Sequence, residues 1–188
     1  MPSQPRGNRL DNPAQNVTLS QARRIHQAET PAFDLIELFF FAYRDFVGDA
    51  DRLLASLRFG RAHHRVLHFV NRNPGLTIAE LLDILQITKQ SLNRVLKELL
   101  DQGYVESRAG VNDRRQRLLF PTTTGQKLAL ELALMQSERF ARALSQLAPG
   151  AREDAIDFLL AMIDSSERDK VASLIWGENE GQTDASSF

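Results

Sequence analysis

The sequence predicts a mainly α-helical fold with one small β-hairpin. Apolar residues recur at three- and four-residue spacing along most of the chain from residue 31 to residue 176. Strand-like alternation is confined to 104–108 and 116–122, and a run of turn formers separates the two. No apolar run approaches the roughly 20 residues that a bilayer span needs. The longest burst is "LFFFAY" at 38–43.

Composition narrows the class. Hydrophobic residues make up 43% and charged residues 25% of the 188 positions, the balance of a globular chain with an ordinary core. The opening "MPSQPRGNRLDNPAQN" has no apolar h-region, so no secretory signal is expected and a cytoplasmic location is. Cysteine is absent, which removes disulfides, thiolate metal sites and thiol redox chemistry. Net charge is −1, yet residues 60–120 hold 10 Lys and Arg against 6 Asp and Glu, or +4, leaving −5 on the rest. Such asymmetry is expected where one module meets a polyanion.

Element by element, residues 1–20 are rich in Pro, Asn, Gln and Gly and are expected to form a disordered arm. A first helix is expected over 31–57, with Pro31 in its first turn and Gly48 as a candidate break or kink. Its apolar residues lie almost all round, among them Phe33, Ile36, Phe39, Phe40, Phe41 and Tyr43, so it needs a cover on more than one side. In so small a chain the expected cover is a second subunit, which makes this a dimerisation helix. A second helix over 60–75 closes on an Asn-Pro-Gly turn. The third, 77–86, is short and opens with Thr77 and Glu80 at capping-box spacing. Thr88 then caps a fourth, which Gly103 ends. Strands at 104–108 and 116–122 form the hairpin. From Thr122 a long helical pattern runs to about Ala148, and shorter ones follow at 152–164 and 170–176. The stretch 123–176 is expected to complete the dimer, and 178–188 to be a flexible tail.

A short helix, a tight link and a longer helix have helix-turn-helix proportions. The second helix of such a pair lies in the DNA major groove and reads bases from its N-terminal turns. Those turns here carry Thr88, Lys89, Gln90, Ser91, Asn93, Arg94 and Lys97, with no acid among them. Arg and Lys suit guanine O6 and N7, Asn and Gln suit adenine N6 and N7, and Thr88 and Ser91 suit phosphates. Taken alone, this face also fits a plain solvated helix. The hairpin that follows tips the balance. It carries Arg108, Arg114, Arg115 and Arg117, and a basic tip suits the negative potential of a minor groove. Asp113 is acidic at such a tip, which makes sense if its carboxylate holds the turn and orients an arginine.

The run "NRNPGLTIAELLDILQITKQSLNRVLKELLDQGYVESRAGVNDRRQRLLFPTTTGQKL" resembles the winged helix-turn-helix core of MarR-type bacterial transcription regulators. The resemblance rests on Pro74-Gly75-Leu76-Thr77, the "TKQS" start of the fourth helix, Gly103, and Asp113-Arg114-Arg115. Through "FFFAYRDF" and "GRAHHRVLHF" it extends to the PetP-like branch. It implies a winged helix-turn-helix domain over 60–122 with N- and C-terminal dimerisation helices, and a homodimer on a palindromic double-stranded DNA operator. One departure is "PTTTGQ", where many relatives carry an acid before the Gly; it puts the start of the long helix in question.

The resemblance also implies a small-molecule effector, an anionic aromatic held between the dimer helices and the DNA-binding domain. Candidate contacts are Phe40, Tyr43, Arg44, His64 and His68; the plainer reading makes the aromatic residues core. His64 and His68, at i, i+4, have the spacing of a shared metal, but no third ligand is evident, so no metal and no cofactor is expected. His63 and His64 are more simply read as packing or phosphate contacts beside Arg61 and Arg65. No nucleophile elbow, P-loop or zinc motif appears, and no enzyme activity or membrane partner is expected. The competing reading is a winged-helix protein-interaction module without specific DNA binding.

Overall fold

The computed structural model describes residues 31–110, 113 and 115–177. The arm expected over 1–20, the tail expected over 178–188, and Arg114 lie outside the described residues. The described residues fall into two compact units, 31–45 and 46–177.

Helix α1 spans Phe33–Ser56. Pro31 stands before its first turn rather than in it, and its carbonyl accepts the Phe33 N–H at 2.9 Å. Gly48 neither breaks nor ends the helix, which continues to Ser56. A helical Gly costs about 1 kcal/mol against Ala, and burial of Val47, Ala50 and Leu54 on the same stretch offsets it. In the unit that ends at Asp45, Phe33, Leu38, Phe39, Phe40, Phe41 and Tyr43 are all exposed.

The other unit continues with α2 (Arg61–Arg72), β1 (Leu76–Thr77), α3 (Ile78–Leu85) and α4 (Lys89–Asp101). Then come β2 (Val105–Ala109), β3 (Arg117–Pro121), α5 (Thr123–Leu144), α6 (Ala151–Ala161) and α7 (Arg168–Trp176). The core is built by the apolar stripes of these helices. Val66, Leu67 and Val70 of α2 meet Leu81 and Leu85 of α3, Leu92, Val95, Leu96 and Leu99 of α4, and Leu128 and Leu132 of α5. Leu119 of β3 closes the sheet side.

The hairpin is one part of a three-stranded antiparallel sheet in the order β1-β3-β2. Leu76 and Thr77 pair with Leu119 and Leu118, a strand the sequence reading missed. Two residues are too few to show alternation. The strand exists because the Asn73-Pro74-Gly75 turn delivers the Gly75 N–H to the Leu119 carbonyl at 2.7 Å.

Caps fix the helix ends. Glu80 N–H donates to the Thr77 hydroxyl at 3.1 Å and Thr77 N–H donates to the Glu80 carboxylate at 2.7 Å, the reciprocal pair the spacing predicts. At the far end of α4, Tyr104 N–H donates to the Leu99 carbonyl and Gly103 N–H to the Leu100 carbonyl, a Schellman ending. Gly103 takes φ +73° there, where a Cβ would be strained.

The start of α5 locks onto that ending. Thr122 N–H donates to the Tyr104 carbonyl at 3.1 Å, and the Thr122 hydroxyl donates to the Gly103 carbonyl at 2.6 Å. The same hydroxyl accepts the Gly125 N–H at 3.1 Å, so α5 starts with a side-chain cap although it lacks an acid before the Gly. A Cβ on Gly125 would lie 1.9 Å from the Tyr104 carbonyl oxygen. Gly125→Ala must therefore push α5 off the end of α4, and we expect a loss of about 1–3 kcal/mol, the range for overpacking a close contact. Urea unfolding would check this; a midpoint equal to wild type would mean the junction is soft.

Candidate nucleic-acid interface

Helix α4 presents two faces because its apolar residues repeat at helical spacing. Leu92, Val95, Leu96 and Leu99 are buried, while Lys89, Gln90, Asn93, Arg94 and Lys97 are exposed. Thr88 is spent on the helix itself. Its hydroxyl accepts the Ser91 N–H at 3.2 Å and donates to the Ser91 hydroxyl at 2.9 Å. The Lys97 ammonium is hydrogen-bonded to Asp101, which holds its pKa above the ordinary value.

One side chain ties this helix to α2. His63 of α2 reaches Glu98 with Nε2 at 2.8 Å, while its Nδ1 accepts the Gly60 N–H at 3.1 Å. Since Nδ1 accepts, Nε2 carries the proton and donates to the carboxylate. The ring stacks on Phe59 at 4.7 Å, so His63 is a clamp between α2 and α4 and not a phosphate contact. Arg65 donates to the Leu85 carbonyl at 3.0 Å, tying α2 to the last turn of α3. The sequence signal for the clamp was slight: Glu98 is the first acid on α4, and nothing in the spacing links it to His63.

The root of the wing faces the same side. Lys89 and Asn93 of α4, Arg115, Gln116 and Arg117 of the wing, and Ile78 and Leu82 of α3 line one cleft of about 380 Å³. Its three cations have no carboxylate among the lining residues. Arg117 is braced across the ribbon by hydrogen bonds to the Ser107 hydroxyl at 3.0 Å and the Ser107 carbonyl at 3.3 Å. Arg108 does not join the cleft. It projects from the other face of the ribbon, paired with Glu106, with its guanidinium 4.4 Å from the Phe120 ring centre.

Asp113 holds the turn: its carboxylate accepts the Arg115 N–H at 2.8 Å. The Gln116 N–H donates to the Asp113 carbonyl at 3.0 Å, and Gly110 N–H to the Gln116 carbonyl at 2.9 Å. A Cβ on Gly110 would come within 2.8 Å of the Asp113 carbonyl oxygen, so the closed turn needs a glycine there.

The remaining expected residues sit elsewhere. Phe40 and Tyr43 are exposed on the first turns of α1, and Arg44 pairs with Asp45 at 2.9 Å and lies over Phe41. His64 and His68 are half-buried on α2. Among the described residues no group of three or more His, Asp or Glu is arranged to hold a metal, so the His64 and His68 pair has no third protein ligand there. Nor is any described helix long and apolar enough to cross a membrane.

Known proteins resemble this chain in sequence and in fold. The sequence profile of the MarR family matches residues 59–116. The HTH-type transcriptional regulator PetP of Rhodobacter capsulatus is 48% identical over 133 residues, 71% of this chain and 80% of that protein. The chain belongs to the MarR family. Among solved structures, MarR aligns with a TM-score of 0.57 at 23% identity, covering 77% of this chain and 96% of MarR. MepR of Staphylococcus aureus, in its DNA-binding conformation, aligns with a TM-score of 0.59 at 22% identity, covering 68% of this chain and 95% of MepR. At these identities the two structures bear on the fold, a winged helix with flanking helices. This MarR-family chain is thus a transcriptional regulator of winged-helix type, like its relative PetP.

His64 and His68 give this regulator a pH signature. Burial lowers the pKa of His64, with His68 contributing, and burial lowers that of His68, with Arg72 contributing. Above the ordinary value of 6.5 both are neutral in folded and unfolded chain alike. Below it the unfolded chain takes up protons first, so stability falls as pH drops until the lowered folded values are passed. Urea midpoints measured down this pH range should show that fall, and the double variant His64→Gln, His68→Gln should flatten it.

Proposed function

We propose that this protein acts as a homodimer that binds a palindromic operator on double-stranded DNA in the cytoplasm and so controls transcription. The observation that carries the reading is the cleft where Lys89 and Asn93 of α4 meet Arg115 and Arg117 of the wing. A helix face without acids in its first turns and a braced basic ribbon converge on one surface, which suits a phosphate backbone with a groove on either side.

In this reading Gln90, Asn93 and Arg94 contact base edges, and Lys89 contacts a base or a phosphate. Ser91, Lys97, Arg114 and Arg117 contact phosphates, Thr88 fixes the helix start, Arg115 enters the minor groove, and Arg108 stays with Glu106 on the other face of the ribbon. Asp113 acts through the turn. Its hydrogen bond to the Arg115 N–H supports a wing ordered before DNA arrives. Such order spares part of the roughly 0.5–1.5 kcal/mol that each immobilised long side chain costs on binding.

Dimerisation is supported by exposed apolar residues that a lone chain leaves in water. They include Phe33, Leu38, Phe39, Phe40 and Phe41 on α1 and, in the other unit, Leu134 and Phe140 on α5, Phe158 on α6 and Met162 just after it. The family reading adds modulation by a small anionic aromatic, with Phe40, Tyr43, Arg44, His64 and His68 as the first residues to substitute. No catalysis is assigned.

Light scattering at micromolar concentration should give twice 21.2 kDa. Obligate dimer interfaces run to about 2,000 Å² or more, and a stable folded monomer would count against the assembly. Selection from a random duplex pool should return an inverted repeat with half-site centres about 10 base pairs, or a multiple of one turn, apart. Arg94→Ala should then cost about 1–3 kcal/mol on that sequence and relax its preference. Lys97→Ala should weaken all sequences alike and flatten the salt dependence by roughly one ion. Asp113→Ala and Arg115→Ala should both weaken operator binding at unchanged thermal stability. Tighter binding by Asp113→Ala at every salt concentration would reduce Asp113 to simple repulsion.

A further inference from the structure

A second cavity, of about 390 Å³, lies where α7 runs past α2 and α3. Pockets of about 300–1,000 Å³ take small ligands. Its apolar wall comes from Phe69, Ile84, Val171 and Leu174, with the half-buried ring of His68 set edge-on to Phe69 at 5.2 Å.

Charge at the rim decides what fits. Lys170 is bonded to Asp83 and stands 3.7 Å from Glu167, so one ammonium faces two carboxylates. The Lys170 charge is already claimed: its hydrogen bond to Asp83 holds its pKa above the ordinary value. Glu167 is different. It occupies the N-cap of α7, but its side chain caps nothing, and 3.7 Å is too long for a full hydrogen bond to Lys170. Its carboxylate therefore keeps acceptor capacity at the cavity mouth. At the other end of α7, Arg72, which does not line the cavity, donates to the Ile175 carbonyl at 3.4 Å and ties that end of the helix to α2.

We propose that this cavity binds a small amphiphilic amine, with its ammonium on Glu167 and a flat aromatic or short alkyl body against Ile84, Leu174 and His68. This is the opposite charge preference to the anionic aromatic that the family reading suggests, and it does not depend on the DNA reading. An anion would meet two carboxylates at this rim, Asp83 and Glu167, against the single ammonium of Lys170. A bound amine would bridge α7 and α3, whose C-cap Gln86, in the left-handed region at φ 49°, opens the link to α4.

The test is calorimetric titration of the full-length protein with 2-phenylethylammonium, beside phenylacetate and 2-phenylethanol as probes of the same size. We expect saturable binding of the ammonium at one site per chain, and phenylacetate weaker by about tenfold or more. Glu167→Gln should weaken the ammonium about tenfold, the scale of one charge-assisted hydrogen bond, and leave 2-phenylethanol unchanged. Leu174→Trp, if its thermal melt matches wild type, should abolish binding of all three by filling the cavity. The surface-exposed Glu167→Gln variant carries the test if the tryptophan variant melts early. Phenylacetate binding as tightly as the amine, an unaffected Glu167→Gln variant, or no saturable binding of the ammonium would each overturn the proposal.

Discussion

The orientation of α4 depends on what happens at one carbonyl, that of Tyr104. It sits just past the Schellman ending of α4, where a single peptide must turn from helix into strand β2. Thr122 donates to it from the start of α5, and Gly125 packs so closely that no side chain fits between. Helix α4, the sheet and the long helix α5 therefore meet at one point. Displacing that point would tilt the exposed face of α4 relative to the wing, and the cleft they share would lose its shape.

A second anchor acts on the other side of α4. The His63 and Glu98 pair joins α2 to the last turn of α4, and the Gly60 N–H fixes the tautomer that makes the bond possible. Buried apolar residues hold α4 against α2 but leave rotation about its axis weakly defined, because Leu, Val and Leu pack at several angles. A directional hydrogen bond selects one. The same division of labour recurs in the wing. Pairing between β2 and β3 makes the ribbon, while Arg117 on Ser107 and Asp113 on the Arg115 N–H fix the arginines at its root.

Charge and apolar surface are spread unequally in this chain. Basic residues gather over 60–120, where the sheet and α4 present them, and the acidic excess lies elsewhere. Exposed aromatic residues gather on the first turns of α1. Screening weakens the first kind of surface in salt, whereas burial of the second is little affected. Contacts with a polyanion and contacts between chains would therefore respond to different conditions.

Periodicity and local chemistry made the elements legible before any tertiary contact was known. Thr77 with Glu80, Thr88, and Gly103 announce their helix ends because capping is a matter of residues three or four apart. The polar face of α4 and the arginines of the hairpin were legible for the same reason. Strand β1 was not, since two residues carry no pattern and pairing with β3 creates it. The pairing of His63 with Glu98 spans 35 positions, and the separation of Arg108 from Arg117 onto opposite faces depends on strand register. Gly48 misled as a break because the buried residues around it hold the helix together. What the sequence determined by itself was the set of helices, their caps and the chemistry each face carries. Which faces converge, and which arginine reaches the cleft, only the tertiary structure decided, because those distances are set by packing between segments that the chain order leaves far apart.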